Sequence, residues 1–360
     1  MGRPDEPVLP FAQVVVEVTQ ACHHHCLHCY NFWRADRAPL TAPGTLSRAE
    51  IRAVVGRIRR DTPLRQVALS GGEPLLRPDL PEIAGDLAAD GLGVVVITNG
   101  TLLTDERLGR FPAGTIFEFT LFSADPGLHD RIAGRPGAFR RTIRGIERAG
   151  RRHFRLALEC VVTRLNAHDV WRTIELGIAL RAEEVLFNRI NLSRATLASA
   201  GELVPSVGQL RQALEAAEEA ARRYGVAVAV AVPIPPCVLP LDRYPHLHFG
   251  WCPRGGPEAY YTVGYDGRLR PCNHSSVILG DLRTERFADI VTREATRAFW
   301  RPVSPICRAC TDPLRDVCRG GCPAASDECL GSPGLVDPFV ETCRRSEEAR
   351  RRQTADCAGR

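Results

Sequence analysis

Hydrophobic positions along the chain fall into two alternating patterns. Short, mostly apolar runs at Ala12 to Thr19, Gln66 to Ser70, Gly93 to Thr98, Ile116 to Phe122, Phe154 to Thr163 and Glu184 to Ile190 predict buried strands. Between them apolar residues recur at helical spacing. Ile51, Val54, Val55 and Ile58 share one helical face, and Ser47 with Glu50 has the spacing of a capping box at that helix's start. Strands alternating with helices pair most simply in parallel. Six such units predict an α/β fold, a partial TIM-like (β/α)6 barrel with fewer units than a full eight-unit barrel. In such barrels the chemistry sits on loops after the C-terminal strand ends. An Ala- and Glu-rich helix from about Ser206 to Tyr224 precedes a further apolar run, Val226 to Val232. Pro233, Pro235, Pro236, Pro240 and Pro245 then disfavour regular structure and mark a boundary. The expected organisation is a lead-in over 1–11, the barrel over 12–232, a small cysteine-rich domain over 233–345 and a tail over 346–360.

Composition narrows the class. The chain has 360 residues, 44% of them hydrophobic, without an apolar run near the ~20 residues that a membrane span needs. Its N-terminus lacks the basic-then-apolar pattern of a secretion signal, so a cytoplasmic protein with no membrane partner is expected. Fourteen cysteines in that setting point to metal or redox chemistry rather than disulfides. All 47 basic residues are arginine, dispersed apart from short runs such as Arg350-Arg351-Arg352, and the net charge is +5. Nucleic-acid binding is not expected.

The candidate chemistry begins on the loop after the first strand. Cys22, Cys26 and Cys29, spaced three and then two residues apart, can ligate three irons of a [4Fe-4S] cluster and leave the fourth iron open to a ligand. The same spacing suits zinc, with His23, His24, His25 or His28 as the fourth ligand. After the second strand comes Gly71-Gly72-Glu73-Pro74, where glycines permit close backbone approach and a carboxylate can accept hydrogen bonds from an ammonium group. On its own it reads equally as a tight turn. Thr98, Asn99 and Ser123 end later strands, where each could bind a ligand oxygen or cap a turn.

Together these motifs resemble the radical S-adenosylmethionine (SAM) superfamily. The resemblance implies that the amino and carboxylate groups of SAM bind the open iron. It also implies that an electron from the cluster cleaves SAM to a 5'-deoxyadenosyl radical. It places Glu73, with Gly71 and Gly72, at the SAM amino group and His28 beside the adenine. Thr98, Asn99, Ser123 and Arg164 become further candidate SAM contacts.

Beyond residue 236 the cysteines form a second array. Cys252 is followed by a hairpin-like Tyr265-Asp266-Gly267-Arg268 turn and Cys272; then come Cys307, Cys310, Cys318, Cys322, Cys329 and Cys343. The spacing is compatible with a zinc ribbon or scaffold. It also resembles the SPASM extension, which carries two auxiliary Fe-S clusters. By position the resemblance gives one cluster to Cys252, Cys272 and Cys322, with Cys237 as candidate fourth ligand and His246 as runner-up. It gives the other to Cys307, Cys310, Cys318 and Cys343, with Cys329 as substitute for Cys343. In one departure, seven residues separate Cys310 from Cys318 where the family usually has five.

The resemblance implies an oxidative enzyme, with a ribosomally made precursor peptide as the favoured substrate. A small-molecule dehydrogenase acting on an aminoglycoside or amino alcohol is the alternative, as is formylglycine formation of the sulfatase-maturing kind. Asn273 weakens that last reading, because relatives place an aspartate base there and an amide cannot accept the proton. The flanks of the two cysteine arrays are too short for a separate peptide-binding domain. The peptide is therefore expected to be held by the barrel and appendage, by an exposed strand edge, or by a separate recognition protein. An external electron donor such as flavodoxin or ferredoxin is expected as well.

Overall fold

A computed structural model describes residues 9, 11–34, 44–256 and 258–358, so most of the expected lead-in lies outside the described residues. Eight consecutive strands pair in parallel: β1 (Gln13–Thr19), β2 (Gln66–Gly71), β3 (Gly93–Thr98), β4 (Ile116–Thr120), β5 (Arg155–Val162), β6 (Glu184–Arg189), β7 (Ala227–Val230) and β8 (Leu247–Phe249). Their side chains alternate as a pleat requires. In β3, Val94 and Val96 are buried beneath the helices, whereas Val95 and Ile97 face the barrel interior and line its cavity. The first helix, Arg48–Asp61, starts on the expected capping box. Glu50 Oε2 accepts the Ser47 amide at 2.8 Å and Ser47 Oγ accepts the Glu50 amide at 3.3 Å. Its predicted face, Ile51, Val54, Val55 and Ile58, is buried against the sheet.

The six predicted strands are the first six of the barrel, but the sheet does not stop there. Past the proline-rich stretch, β9 (Thr262–Val263) pairs in parallel with β1, and β10 (Arg268–Arg270) and β11 (Gly280–Asp281) continue antiparallel. One eleven-stranded sheet results, in the order β11-β10-β9-β1-β2-β3-β4-β5-β6-β7-β8. The prolines interrupt the chain between β7 and β8 without removing any ladder bond of β8 or β9, whose Leu247 and Val263 are buried.

Loops and short helices carry the remaining cysteines up to Cys329, and Cys343 lies on the last helix, Pro338–Ala358. Two buried ion pairs fasten this region to the barrel. Arg270 of β10 pairs with Glu17 of β1, and Arg189 of β6 pairs with Asp337, all four side chains being almost inaccessible to solvent. Arg189 is fully occupied: Nε donates to the Pro233 carbonyl and Nη1 to the Ile190 carbonyl. Among the described residues no helix is long and apolar enough to cross a membrane.

Candidate active site

The cysteine loop leaves β1 and is latched on both sides by backbone bonds. His25 and Leu27 donate to the carbonyls of Ala133 and Ile132 at 2.9 Å each. On the other side the Gly71-Gly72-Glu73 backbone continues the β1–β2 pairing, with Gly72 donating to Thr19 at 2.8 Å and Glu73 to Ala21 at 2.7 Å. This approach explains the two glycines. Gly71 has φ +125°, and a Cβ on Gly72 would stand 2.2 Å from the Ala21 carbonyl oxygen, directly beneath Cys22. The histidines act as struts: His23 Nε2 meets Thr101 Oγ1 at 2.7 Å, and burial holds the His24 pKa down to about 3.

Cys22, Cys26 and Cys29 line one cavity of about 520 Å³ that runs down the barrel interior to Gln13 and Gln66. That volume lies within the ~300–1,000 Å³ usual for ligand sites. Glu73 lines it, yet its oxygens already tie β2 to β3: Oε1 accepts Thr98 Oγ1 at 2.6 Å and the Leu75 amide at 3.0 Å, and Oε2 accepts the Asn99 amide at 2.9 Å. Burial raises its pKa, opposed by those hydrogen bonds. His28 is buried edge-on to Phe122 at 4.7 Å between ring centroids, with its pKa pushed to about 4 by burial. It lines the cavity as a neutral ring, as do Thr98 and Asn99. Ser123 and Arg164, expected as SAM contacts, do not line the cavity. Ser123 is turned into the fold, where its hydroxyl donates to Asp169. The Arg164 guanidinium instead reaches the Val204 carbonyl at 3.2 Å.

Residues that sequence reasoning did not single out complete the cavity. Glu118 and Glu159 point inward from β4 and β5. Desolvation raises the Glu118 carboxyl to about 8, with Glu159 adding to the shift, and desolvation raises Glu159 too, against a hydrogen bond from Asn188 at 3.0 Å. Their signal was a glutamate at an inward position of an otherwise apolar strand. Asn273, already noted from sequence at the position of a base in relatives, lines the cavity too, and its Nδ2 donates to the Tyr30 hydroxyl at 2.9 Å.

The C-terminal cysteines separate into two sets. Cys252, Cys272 and Cys322 form an inner one: burial raises all three thiols, that of Cys252 to about 11, and Cys322 raises both Cys252 and Cys272 further. Asp337 accepts the Cys322 amide at 3.0 Å, and Asn191 Nδ2 donates to Cys322 Sγ at 3.5 Å. Cys307, Cys310 and Cys318 line a separate pocket nearer the surface. Cys237 lines that outer pocket, not the inner set, and this corrects its expected placement. Cys343 is fully buried and does not line the pocket, and Cys329 neighbours Asp337, Glu328 and Cys322. The His246 ring is held by Glu218, with Nδ1 2.5 Å from Oε1. The chain divides the sets at Arg319-Gly320-Gly321, three consecutive residues with positive φ, which turn Cys318 outward and Cys322 inward.

These sites fit iron–sulfur clusters. Both sets offer thiols, and backbone N–H groups point at the sulfurs: Arg254 at Cys252, His274 at Cys272, Ala325 at Cys322, and Gly320 and Gly321 at Cys318. Such donors favour a cluster thiolate. Among the described residues no three His, Cys, Asp or Glu side chains are grouped to hold a single metal ion.

Known proteins agree with this reading. The radical SAM superfamily model matches residues 16–177, and the SPASM iron–sulfur cluster-binding domain model matches 252–311. The PqqA peptide cyclase of Ruegeria pomeroyi is 28% identical over 348 residues, 93% of this chain and 87% of that protein. In fold, the chain is similar to Streptococcus suis SuiB bound to the precursor peptide SuiA, with TM-score 0.71, 14% identity, and 93% of this chain and 77% of that one covered. It is similar as well to anSMEcpe with bound AdoMet, with TM-score 0.67, 14% identity, and 97% and 99% coverage. The cysteine loop, the Gly-Gly-Glu latch and the thiol sets behind the barrel thus share one explanation: the chain carries a radical SAM domain over residues 16–177 and an iron–sulfur cluster-binding SPASM domain over 252–311.

Proposed function

We propose that this enzyme oxidatively modifies a ribosomally made peptide, by cross-linking or C–H oxidation, in the barrel cavity. The supporting observation is that likeness to peptide cyclases runs through both the barrel and the C-terminal region. SAM bound at the open iron would supply a carbon radical that removes a substrate hydrogen atom. The chain's own residues govern the later proton and electron movements. Glu118 and Glu159 face the cavity with raised pKa values, so one can hold or take the proton released as the substrate is oxidised. Asn273 cannot take that role and instead fixes Tyr30. A cluster held by the inner set would be the acceptor of the remaining electron, since Asn191, Asn273 and His274 line the cavity and Asn191 touches Cys322.

On this reading the two C-terminal sets each hold an auxiliary cluster, and a flavodoxin- or ferredoxin-type protein supplies electrons. A separate recognition protein presents the peptide if the barrel and appendage alone bind it weakly. The test is anaerobic incubation with SAM, reductant and short peptides encoded beside the gene, with and without a recognition protein. High-resolution mass spectrometry should show a product lighter by two hydrogens per modification. Unchanged peptides together with oxidation of a sugar or amino alcohol would replace the peptide by a small molecule.

A further inference from the structure

The family pattern gives the outer set its fourth thiolate from the last cysteine, Cys343, but the two candidates lie differently here. Cys237 follows Pro235 and Pro236, and all three residues line the same pocket as Cys307, Cys310 and Cys318. Its surroundings agree. The groups around its thiol are Arg344, Cys318, Cys307 and Cys310. The charged groups that bear most on Cys343 are instead Arg189, Glu347, Arg164 and Arg344.

The phase of the helix Pro338–Ala358 shows why. Positions three and four apart lie side by side on a helix, so Val340 neighbours both Cys343 and Arg344. Val340 lines the outer pocket, and one turn on Arg344 donates from Nη2 to the Cys237 carbonyl at 2.8 Å, so this face addresses the outer set. Phe339 and Cys343 occupy the neighbouring face. The Arg189 guanidinium lies over the Phe339 ring at 4.3 Å, and Cys343 is fully buried. Asp337, the partner of Arg189, accepts the Phe339 amide at 2.9 Å and fixes the start of this helix. Gly320, at φ +96°, lets the chain pass close to Cys307, whose Sγ would stand 3.2 Å from a Cβ there.

We infer that Cys237, contributed by the proline-rich connection after the barrel, is the fourth thiolate of the outer cluster with Cys307, Cys310 and Cys318, and that Cys343 is a core residue. No electron or bond change is involved beyond thiol deprotonation and binding to iron. The inference rests on the reading that the outer set holds a cluster. Iron content of the anaerobically reconstituted, unsubstituted full chain tests that reading separately, with about twelve atoms expected for three [4Fe-4S] clusters.

The ligand test compares Cys237→Ala with Cys343→Ala in the same protein. Cys237→Ala should lose between about one and about four irons per chain and alter the electron paramagnetic resonance of one auxiliary cluster, because a cubane missing a thiolate loses one iron or all. Cys343→Ala should keep both values. The reverse pattern, or no change in Cys237→Ala, overturns the assignment. Alkylation of the unsubstituted holoprotein needs no variant to fold: Cys237 is exposed in the polypeptide, yet should resist iodoacetamide until chelation strips the iron. Rapid labelling of Cys237 in fully loaded protein overturns the inference, and labelling only after chelation supports it.

Discussion

The cysteine loop at the barrel mouth and the cysteines behind the barrel are built on opposite plans. The mouth loop occupies one short stretch, Cys22 to Cys29, held by backbone bonds to β2 on one side and to Ala133 and Ile132 on the other. The C-terminal sets gather cysteines from Cys237 to Cys322 and depend on buried charge pairs, Arg189–Asp337 and Glu17–Arg270, to hold distant segments together. Backbone latches tolerate changes in most side chains. A buried ion pair fails when either partner is removed, because the remaining charge is left without compensation.

The broadest break in the comparison is to empty the mouth alone. Replacing Cys22, Cys26 and Cys29 together with alanine should abolish 5'-deoxyadenosine formation from SAM while iron falls only by about four atoms per chain. Loss of all iron would show that the two regions do not load independently. Next in size, Asp337→Ala leaves Arg189 buried and unpaired and removes the acceptor of the Cys322 amide. A loss of about 3–5 kcal/mol in denaturant unfolding is expected, together with bleaching of an auxiliary cluster. Unchanged stability would mean the charge pair does not hold the two segments together. Gly72→Ala strikes the backbone latch instead. Its Cβ overlaps the Ala21 carbonyl, so about 1–3 kcal/mol of destabilisation is expected, with weakened SAM cleavage and intact auxiliary absorbance.

The most gradual effect, at any one pH step the smallest, belongs to the carboxylates between the two regions. Glu118 is raised from 4.5 to about 8 in the fold, first by burial and then by Glu159 and Glu184. The folded state therefore holds this proton where the unfolded chain releases it. Stability from the site is fully present below the unfolded value of 4.5 and is lost as pH rises towards 8. Glu118→Gln removes that slope, so its stability relative to the unsubstituted protein should climb by at most ~1.4 kcal/mol per pH unit across that window. Parallel stability–pH curves for the two proteins would show that Glu118 titrates normally.

These two plans also decide what could be read from sequence. The mouth was legible because its chemistry is local: three cysteines, two glycines and a glutamate follow predicted strand ends. Even there the roles shifted, since Gly72 is required by the Ala21 carbonyl and Ser123 turns to Asp169. Behind the barrel, counting residues put Cys343 in the outer set and Cys237 in the inner one. Which pocket a cysteine lines depends on the left-handed turn at Arg319-Gly320-Gly321 and on the proline-rich connection that brings Cys237 beside Cys307, Cys310 and Cys318, neither of which spacing encodes. The prolines from Pro233 to Pro245 suggested a domain boundary, but ladder pairing beyond them depends on strands of two or three residues. Such strands carry too few positions for a period to show.

The parallel pairing of β9 with β1 bears on how chimeras of this enzyme should be spliced. β1 ends in the cysteine loop, and its two ladders come from β2 and from a strand encoded more than 240 residues later. A graft joined at the proline-rich connection would replace that later strand along with the donor region and leave one side of β1 as a bare edge. An unpaired apolar edge invites association with other chains. A junction placed after Asp281 keeps the native β9–β11 ladder, at the cost of fixing Cys252 and Cys272 in the recipient. Exchange of auxiliary clusters between relatives should therefore be designed around the sheet rather than around the cysteines.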